Sequence, residues 1–166
     1  MDKLKFQKLT KSHWPKVAEI YGQGLATGNA TFQTEVPTWE DWDGNHLSDC
    51  RFIATLDNEM VGWAALSPVS SRCVYGGVAE VSVYVATHFA GQQIGSKLLK
   101  RLITASETKG IWTLQAGIFP ENIASLKIHK KLGFREIGFR EKIGKMKGVW
   151  RDTILLEHRS SKVGII

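Results

Sequence analysis

The sequence predicts an α+β (mixed α/β) fold, with a central mixed β-sheet of about six to seven strands flanked by about four helices. Segments of alternating apolar and polar residues occur along the chain, interspersed with segments of helical periodicity. The 166 residues, 43% of them hydrophobic, are enough to bury a large core. No repeat, low-complexity segment or Pro/Ser-rich linker divides the chain, so we expect one domain over residues 1–166.

Three strands and two helices are predicted in the first 67 residues. Ser12 is a candidate N-cap for the first helix, and Asp57-Asn58 is typical of a hairpin turn. Residues 26–38 are polar and irregular. The predicted elements are a strand over 4–8, a helix over 13–25, a short helix carrying Trp39 and Trp42 after Pro37-Thr38, and strands over 51–56 and 60–67.

The remainder predicts four strands and two helices. A strongly amphipathic helix is indicated over 93–109, where apolar residues recur at helical spacing. Asn122 is a candidate cap for a second helix that ends at Leu132, with Gly133 at the position after the C-cap. The predicted strands cover residues 78–86, 112–119, 134–142 and 149–157.

Charge is unevenly distributed along the chain. Residues 97–151 hold thirteen Lys and Arg against four Glu, within a formal net charge of +6. Such a field favours a phosphate-bearing partner, either nucleic acid or a phosphorylated cofactor. The two cysteines and five scattered histidines form no metal-ligand pattern, so we expect no metal. No apolar run is long enough for a membrane helix or signal peptide, so we expect a cytoplasmic protein without membrane contact.

The segment after the strand over 78–86 is suited to a phosphate. Residues 88–95 form a Gly-containing turn that leads into the amphipathic helix. The N-terminus of a helix offers unpaired amides and the positive end of the helix dipole, which together suit a pyrophosphate. Glycines before helices are common, so this feature is not specific by itself.

Two segments resemble motifs of the GNAT superfamily of N-acetyltransferases. The pyrophosphate loop of that family has the pattern (Arg/Gln)-x-x-Gly-x-(Gly/Ala), and residues 90–95 match it only at Gly95. Ala90 replaces the usual Arg or Gln, and Gln93 replaces the central Gly. Residues 122–134 keep the spacing of the family's N-x-x-S-x-x-x-(Tyr/His)-x-x-x-G-F helix. The resemblance implies a GNAT-like sheet and acetyl-CoA as the cosubstrate.

Over about residues 4–159 the chain is more specifically similar to the phosphinothricin and methionine sulfone/sulfoximine N-acetyltransferases. This resemblance implies acetylation of the α-amino group of a small amino acid or analogue, and it allows a homodimer. The segments that carry it are Ala30-Thr31-Phe32-Gln33-Thr34-Glu35, Gly62-Trp63-Ala64, Ser71-Arg72 with Tyr75, Ala79-Glu80-Val81-Ser82-Val83-Tyr84-Val85, Gly133-Phe134-Arg135 and Gly148-Val149-Trp150-Arg151-Asp152.

The resemblance implies that acetyl-CoA is bound by one strand edge, the turn that follows it and the helix after Asn122. If a bulge splays the strand over 78–86 from its neighbour, its freed amides bond the pantetheine arm. The implied cofactor residues are Val83, Tyr84, Val85, Gly91, Gln92, Gln93, Ile94, Gly95, Ser96, Asn122 and Ser125.

Two residues are candidates for proton transfer. Amines are largely protonated at neutral pH, so acetyl transfer benefits from a general base, and we expect Glu80 in that role. The alternative for Glu80 is an ordinary ion pair. His129 is expected to protonate the departing thiolate or to shuttle the amine proton, with a purely structural histidine as the alternative.

The acceptor is expected to contact Phe32, Arg72 and Tyr75, with Arg72 pairing a carboxylate or similar oxyanion. Arg72 is otherwise a surface loop arginine. We expect no nucleic-acid partner, because no recognisable nucleic-acid-binding motif occurs. Three other functions stay open: an acetyltransferase for a peptide N-terminus, polyamine or aminoglycoside; a nucleic-acid-binding module; and an acyl-CoA sensor. The alternative mechanism is acetyl transfer through a covalent intermediate on Cys73.

Overall fold

A computed structural model describes residues 3–166 and contains one seven-stranded sheet with four α-helices. The sheet order is β1-β2-β3-β4-β5-β7-β6, with β4 and β5 parallel and every other pair antiparallel. The predicted fold class is confirmed. The strands are β1 (Leu4–Lys8), β2 (Phe52–Leu56), β3 (Glu59–Pro68), β4 (Val78–Val85), β5 (Thr113–Ile118), β6 (Arg135–Met146) and β7 (Val149–Arg159).

The helices lie on both faces of the sheet. They are α1 (Trp14–Ala26), α2 (Trp39–Asn45), α3 (Ile94–Thr108) and α4 (Ile123–Lys131). The longest of these, α3, has 15 residues. Across residues 3–166, no helix combines the length and the apolar character needed to cross a membrane.

The start of α1 differs from the prediction. Residues Lys11–His13 form a 3-10 turn with Thr10 at its N-cap, and α1 begins at Trp14. The hydroxyl of Ser12 lies 2.9 Å from the hydroxyl of Thr10, so Ser12 does not cap α1. Pro15 explains the shift, because its fixed φ and missing N–H suit the first turn of a helix.

Two tight turns join the hairpins of the sheet. Asp57 and Asn58 adopt φ of 49° and 69° between β2 and β3, as the sequence predicts. Lys147 and Gly148, with φ of 47° and 81°, join β6 and β7. This second hairpin is longer than predicted because a register shift between Arg140 and Gly144 interrupts its alternation without ending the pairing.

The sheet separates two cores. On one face, α3 and α4 pack against leucines and valines that include Val81, Val83 and Val85. On the other face, α1 and α2 enclose an aromatic cluster that includes Trp42, Trp63, Tyr21 and Tyr84. Successive side chains of a strand point to opposite faces. Alternation along β4 therefore directs Glu80 and Tyr84 to the aromatic side of the sheet.

The close approach of α1 to β4 depends on Gly24. A Cβ at this position would lie 2.6 Å from two carbons of the Tyr84 ring, which is too close for unstrained packing. The Tyr84 ring stacks on Trp63 with centroids 4.7 Å apart and lies 4.8 Å from Tyr21. The absence of a side chain on Gly24 thus sets the position of the last turns of α1 over β4.

We predict that Gly24→Ala lowers the free energy of unfolding by about 1–3 kcal/mol, because the added methyl overpacks the Tyr84 ring. Gly22→Ala in the same helix is the matched control, since its Cβ would meet only Val36 Cγ2 at 3.6 Å. That control is expected to raise the free energy by about 0.5–1 kcal/mol through helix propensity. Urea unfolding measures both, and equal effects of the two variants would contradict the packing argument.

Candidate active site

A cleft opens where β4 and β5 part. The two strands pair only over Val78–Glu80 and Thr113–Gln115. Beyond this point β4 continues against β3, and β5 continues against β7. The wedge between them is a cleft of about 1070 Å³. The β3–β4 register is continuous, so the cleft begins where strand pairing ends and not at a bulge in that ladder.

One wall of the cleft is a strand edge with free backbone groups. The amide of Ala86 donates to the carbonyl of Val61 at 2.8 Å, so it points toward β3. Backbone groups alternate in direction along a strand. The amides of Val83 and Val85, which lie beyond the last residue paired with β5, consequently point toward the side from which β5 has diverged. They offer a ladder of hydrogen bonds to an extended ligand.

The N-terminus of α3 forms the second anchoring element. Gly91 and Gln93 have φ of 79° and 64°, and the first helical bond runs from the Lys97 amide to the Gln93 carbonyl at 3.1 Å. The amides of Ile94 to Ser96 therefore have no acceptor within the helix. Together with the helix dipole they suit an anionic group. Gln92 is exposed and, unlike its neighbours, is not among the cleft-lining residues.

The opposite wall is the start of α4. The side-chain oxygen of Asn122 accepts the Ser125 amide at 3.3 Å, which confirms the predicted cap. The side-chain nitrogen of Asn122 donates to the carbonyl of Asn29 at 3.1 Å. The side-chain amide of Asn122 thus caps the N-terminus of α4 and also bonds the irregular segment after α1. Asn122 and Ser125 both line the cleft.

Glu80 stands at the point where the cleft begins. Its Oε2 accepts a hydrogen bond from Gln115 Nε2 at 3.1 Å. Within residues 3–166, the salt bridges within 4.0 Å do not include Glu80, so the ion-pair alternative has no support there. Its carboxylate is half-buried and lines the cleft, which leaves it able to take a proton from a bound ligand.

His129 is a neutral imidazole of defined tautomer. A carbonyl can only accept, so Nδ1 carries the proton that it donates to the Ser125 carbonyl at 2.7 Å. Burial lowers the pKa of His129 below its usual value, although the bond to that carbonyl acts in the opposite direction. Its Nε2 is buried without a hydrogen-bond partner in the described part of the chain. As it stands, His129 can accept a proton through Nε2 but has none to give there.

Phe32 lies in the cleft, as predicted, and its position is sterically defined. Its ring meets Phe119 edge-on with centroids 4.9 Å apart. A Cβ on Gly144 would lie 2.7 Å from the Phe32 ring, so the bare backbone of β6 forms the floor under it.

Arg72 and Tyr75 do not line the cleft, contrary to expectation. Both are exposed on the loop between β3 and β4, where the Arg72 guanidinium lies 5.6 Å from the centroid of the Tyr75 ring. Cys73 lies on the same exposed loop and outside the cleft, which disfavours an acetyl-cysteine intermediate. This loop joins the end of β3 to the start of β4 at Val78, and the number of residues between the two strands does not predict where the loop lies.

Sequence reasoning missed three cleft residues. Arg140 of β6 lines the cleft, and it places there the kind of side chain, a guanidinium, that was expected from Arg72. Gln115 meets Glu80 only because β4 and β5 pair in one particular register. Asn29 reaches Asn122 across 93 positions of sequence. Alternation along each strand predicts which of its residues share a face, but it does not predict which strands pair with each other.

Comparison with known proteins gives one family match. Residues 14–134 match the model of the Acetyltransferase (GNAT) family. This range extends from the first residue of α1 to the residue that precedes β6. It includes both walls of the cleft.

Individual relatives match over most of the chain. The phosphinothricin N-acetyltransferase of Streptomyces coelicolor is 30% identical, covering 85% of this chain and 87% of the relative. The L-methionine sulfoximine/L-methionine sulfone acetyltransferase of Pseudomonas aeruginosa is 30% identical, covering 86% and 87%. The fold is similar to that of a GNAT superfamily phosphinothricin acetyltransferase from Sinorhizobium meliloti in complex with AcCoA, with a TM-score of 0.87, 22% identity and coverage of 98% and 91%.

We predict that Gln93→Gly raises the free energy of unfolding by about 1 kcal/mol, because glycine adopts the left-handed conformation without the Cβ penalty. Its affinity for acetyl-CoA is expected to be retained, since the amides of the turn are unchanged. Gln93→Val is the control and should lower stability, because a β-branched residue is strained at positive φ. Thermal unfolding and titration calorimetry measure both quantities. A large loss of affinity in Gln93→Gly would mean that the Gln93 side chain contacts the ligand.

Proposed function

Since this chain belongs to the acetyltransferase (GNAT) family and is an acetyl-CoA-dependent N-acetyltransferase, we propose that it acetylates the α-amino group of a small amino acid or analogue. Phosphinothricin and methionine sulfoximine are the acceptors we favour, because the relatives described above are named for them. The observation that carries the proposal is the Glu80 carboxylate at the apex of the cleft, where β4 and β5 part. Within residues 3–166 it forms no salt bridge.

Acetyl-CoA is proposed to lie along the edge of β4. Its pyrophosphate binds the amides of Ile94 to Ser96, where the helix dipole adds to the attraction. Its pantetheine arm extends along Val83 and Val85 toward the apex, opposite Asn122. This placement brings the thioester close to Glu80, and one strand edge thereby aligns the coenzyme with the proton acceptor.

The proposed reaction is a direct transfer. Glu80 removes a proton from the acceptor ammonium, and the neutral nitrogen attacks the thioester carbonyl carbon. A C–N bond forms, the C–S bond breaks, and the sulfur leaves as the thiolate of coenzyme A. The amides that face the cleft stabilise the oxyanion of the tetrahedral intermediate. The second proton lost by the nitrogen neutralises the thiolate.

His129 is proposed to carry that second proton. Its Nε2 is an acceptor in the neutral ring, and so it first takes a proton and then gives it to the departing sulfur. Of the two roles expected for His129, this order favours the proton shuttle over a histidine that is protonated before the reaction begins. The lowered pKa of His129 supports it, because the imidazolium is then a stronger acid toward the thiolate.

Arg140 is proposed to bind the acceptor's oxyanion, because it lines the same cleft as Phe32 and Glu80. Arg72 and Tyr75 can take this role only if their loop approaches an acceptor, either by moving or from a second copy in a homodimer. Arg140→Gln and Arg72→Gln separate the two assignments. We expect Arg140→Gln to raise the KM of a carboxylate-bearing acceptor about tenfold or more, since a charged hydrogen bond contributes about 1.5–3 kcal/mol. If only Arg72→Gln has that effect, Arg72 binds the oxyanion.

We predict that the protein acetylates phosphinothricin, methionine sulfoximine and methionine sulfone with higher kcat/KM than spermidine, kanamycin or a peptide with an N-terminal alanine. The reason is that the cleft offers a guanidinium for an anionic acceptor. Release of the coenzyme A thiol measures turnover, and mass spectrometry of the products locates the acetyl group. Preference for a cationic amine would contradict the substrate class. Acetyl-CoA binding without turnover of any amine would identify a sensor.

We further predict that Glu80→Gln lowers kcat by about 10²–10⁴-fold and removes the rise of kcat/KM with pH that deprotonation of the base produces. His129→Gln should lower kcat by about tenfold or more with unchanged far-UV circular dichroism. Glu136→Gln is the control for loss of one negative charge, because Glu136 pairs with Lys130 outside the cleft. The pH dependence of kcat/KM for all three variants is the measurement. A wild-type profile in Glu80→Gln would exclude Glu80 as the base.

A further inference from the structure

Arg151 of β7 contacts both the irregular segment after α1 and the residue that precedes the N-cap of α4. Its guanidinium donates to the carbonyl of Gly28 at 2.9 Å and to the Oδ1 of Asn29 at 2.8 Å. It also lies 3.4 Å from a carboxylate oxygen of Glu121, just before α4. The side chain is only 14% exposed. One guanidinium thus joins three segments that are distant in sequence.

Two aromatic rings in edge-on contact link Arg151 to the part of the cleft where we propose that the acceptor binds. The central carbon of the Arg151 guanidinium lies 4.0 Å from the centroid of the Phe119 ring. Phe119 in turn supports Phe32, with centroids 4.9 Å apart. Movement of Arg151 would therefore release both the backbone that precedes Phe32 and the ring behind it.

Asn29 is held from two directions. Its side chain accepts from Arg151, and its carbonyl accepts from Asn122, which caps α4. Residues 27–33 form neither helix nor strand, so regular backbone pairing does not order them. Ordering each residue of such a segment costs about 1–2 kcal/mol of conformational entropy. The contacts of Asn29 and Phe32 offset that cost.

We propose that Arg151 is a positioning residue that fixes segment 28–32 against the start of α4, so that a bound acceptor meets the thioester. This inference relies on the proposed function for the identity of the two ligands. Arg151 acts through Asn29 and Phe119, which both line the cleft. A lysine cannot replace it, because an ammonium is a point charge and does not reach three partners in a fixed planar geometry.

Arg159 provides a matched control on the same strand. Its guanidinium donates to the carbonyls of Trp112, Ser160, Val163 and Gly164 at 3.4, 2.8, 2.9 and 2.6 Å. None of these four residues lines the cleft. Arg151 and Arg159 thus both tie irregular segments to β7, but only Arg151 does so at the site.

The first experiment compares Arg151→Met with Arg159→Met in the full chain. For Arg151→Met we expect the acceptor KM to rise about tenfold, with the KM of acetyl-CoA within about twofold of wild type. For Arg159→Met we expect a lower Tm and no change in either KM. Equal acceptor KM values in Arg151→Met and wild type would overturn the inference. So would the same change of KM in both variants, because the effect would then follow stability alone.

Asn29 variants keep the test valid if Arg151→Met fails to fold. Asn29→Leu removes the oxygen that accepts from Arg151 and should raise the acceptor KM about tenfold, whereas Asn29→Asp retains this oxygen and should raise the KM less than Asn29→Leu does. Where Arg151→Met does fold, its effect and that of Asn29→Leu should not add in the double variant. Additive effects would show that Arg151 does not act through Asn29.

Amide hydrogen exchange separates this inference from the choice of acceptor. Exchange in segment 27–33 should be faster in Arg151→Met than in wild type, and unchanged in Arg159→Met. This result requires no substrate, so it holds if the protein acetylates some other amine. Unchanged exchange in Arg151→Met would overturn the inference even when phosphinothricin is a substrate.

Discussion

The site depends on the loss of pairing between β4 and β5 after three residue pairs. Parallel strands that stayed paired would consume the amides of Val83 and Val85 in the sheet and leave no cleft. Because they part, the same backbone that holds the sheet together at Glu80 offers unpaired donors a few residues later. The N-terminus of α3 packs against the second half of α4, where Ile128 Cδ1 lies 3.4 Å from the ideal Cβ position of Gly95.

The edge of β4 and the two faces of β4 have separate roles. The edge provides backbone hydrogen bonds, which do not depend on the side chains. The faces alternate, with valines packed under α3 and α4, and with Glu80 and Tyr84 on the aromatic side. The departures from the family motif at Ala90 and Gln93 become understandable on this basis. The turn keeps its left-handed residues at Gly91 and Gln93, and its amides remain available whatever the side chains are.

Local patterns predicted most of the fold, including the elements that form the cleft. The cap at Asn122, the turn at Asp57-Asn58 and the helix after Gln93 each depend on a few neighbouring residues. The acceptor side could not be predicted in the same way. Its geometry depends on contacts such as Arg151 to Asn29, which are 122 positions apart. Arg72 illustrates the limit, because its residue type suited an oxyanion while the path of its loop placed it outside the cleft.

The two groups that we propose for proton transfer, Glu80 and His129, lie in different surroundings. Glu80 is half-buried at the apex, where Gln115 donates one hydrogen bond to it and no cation is paired with it in the described residues. His129 is buried in the helical wall, and the Ser125 carbonyl one turn earlier fixes its tautomer. If both groups were carboxylates on the same strand face, the charge of each would hinder ionisation of the other. Placing a neutral imidazole on α4 avoids this repulsion. In the proposed mechanism, the carboxylate can then accept the first proton while the neutral ring relays the second.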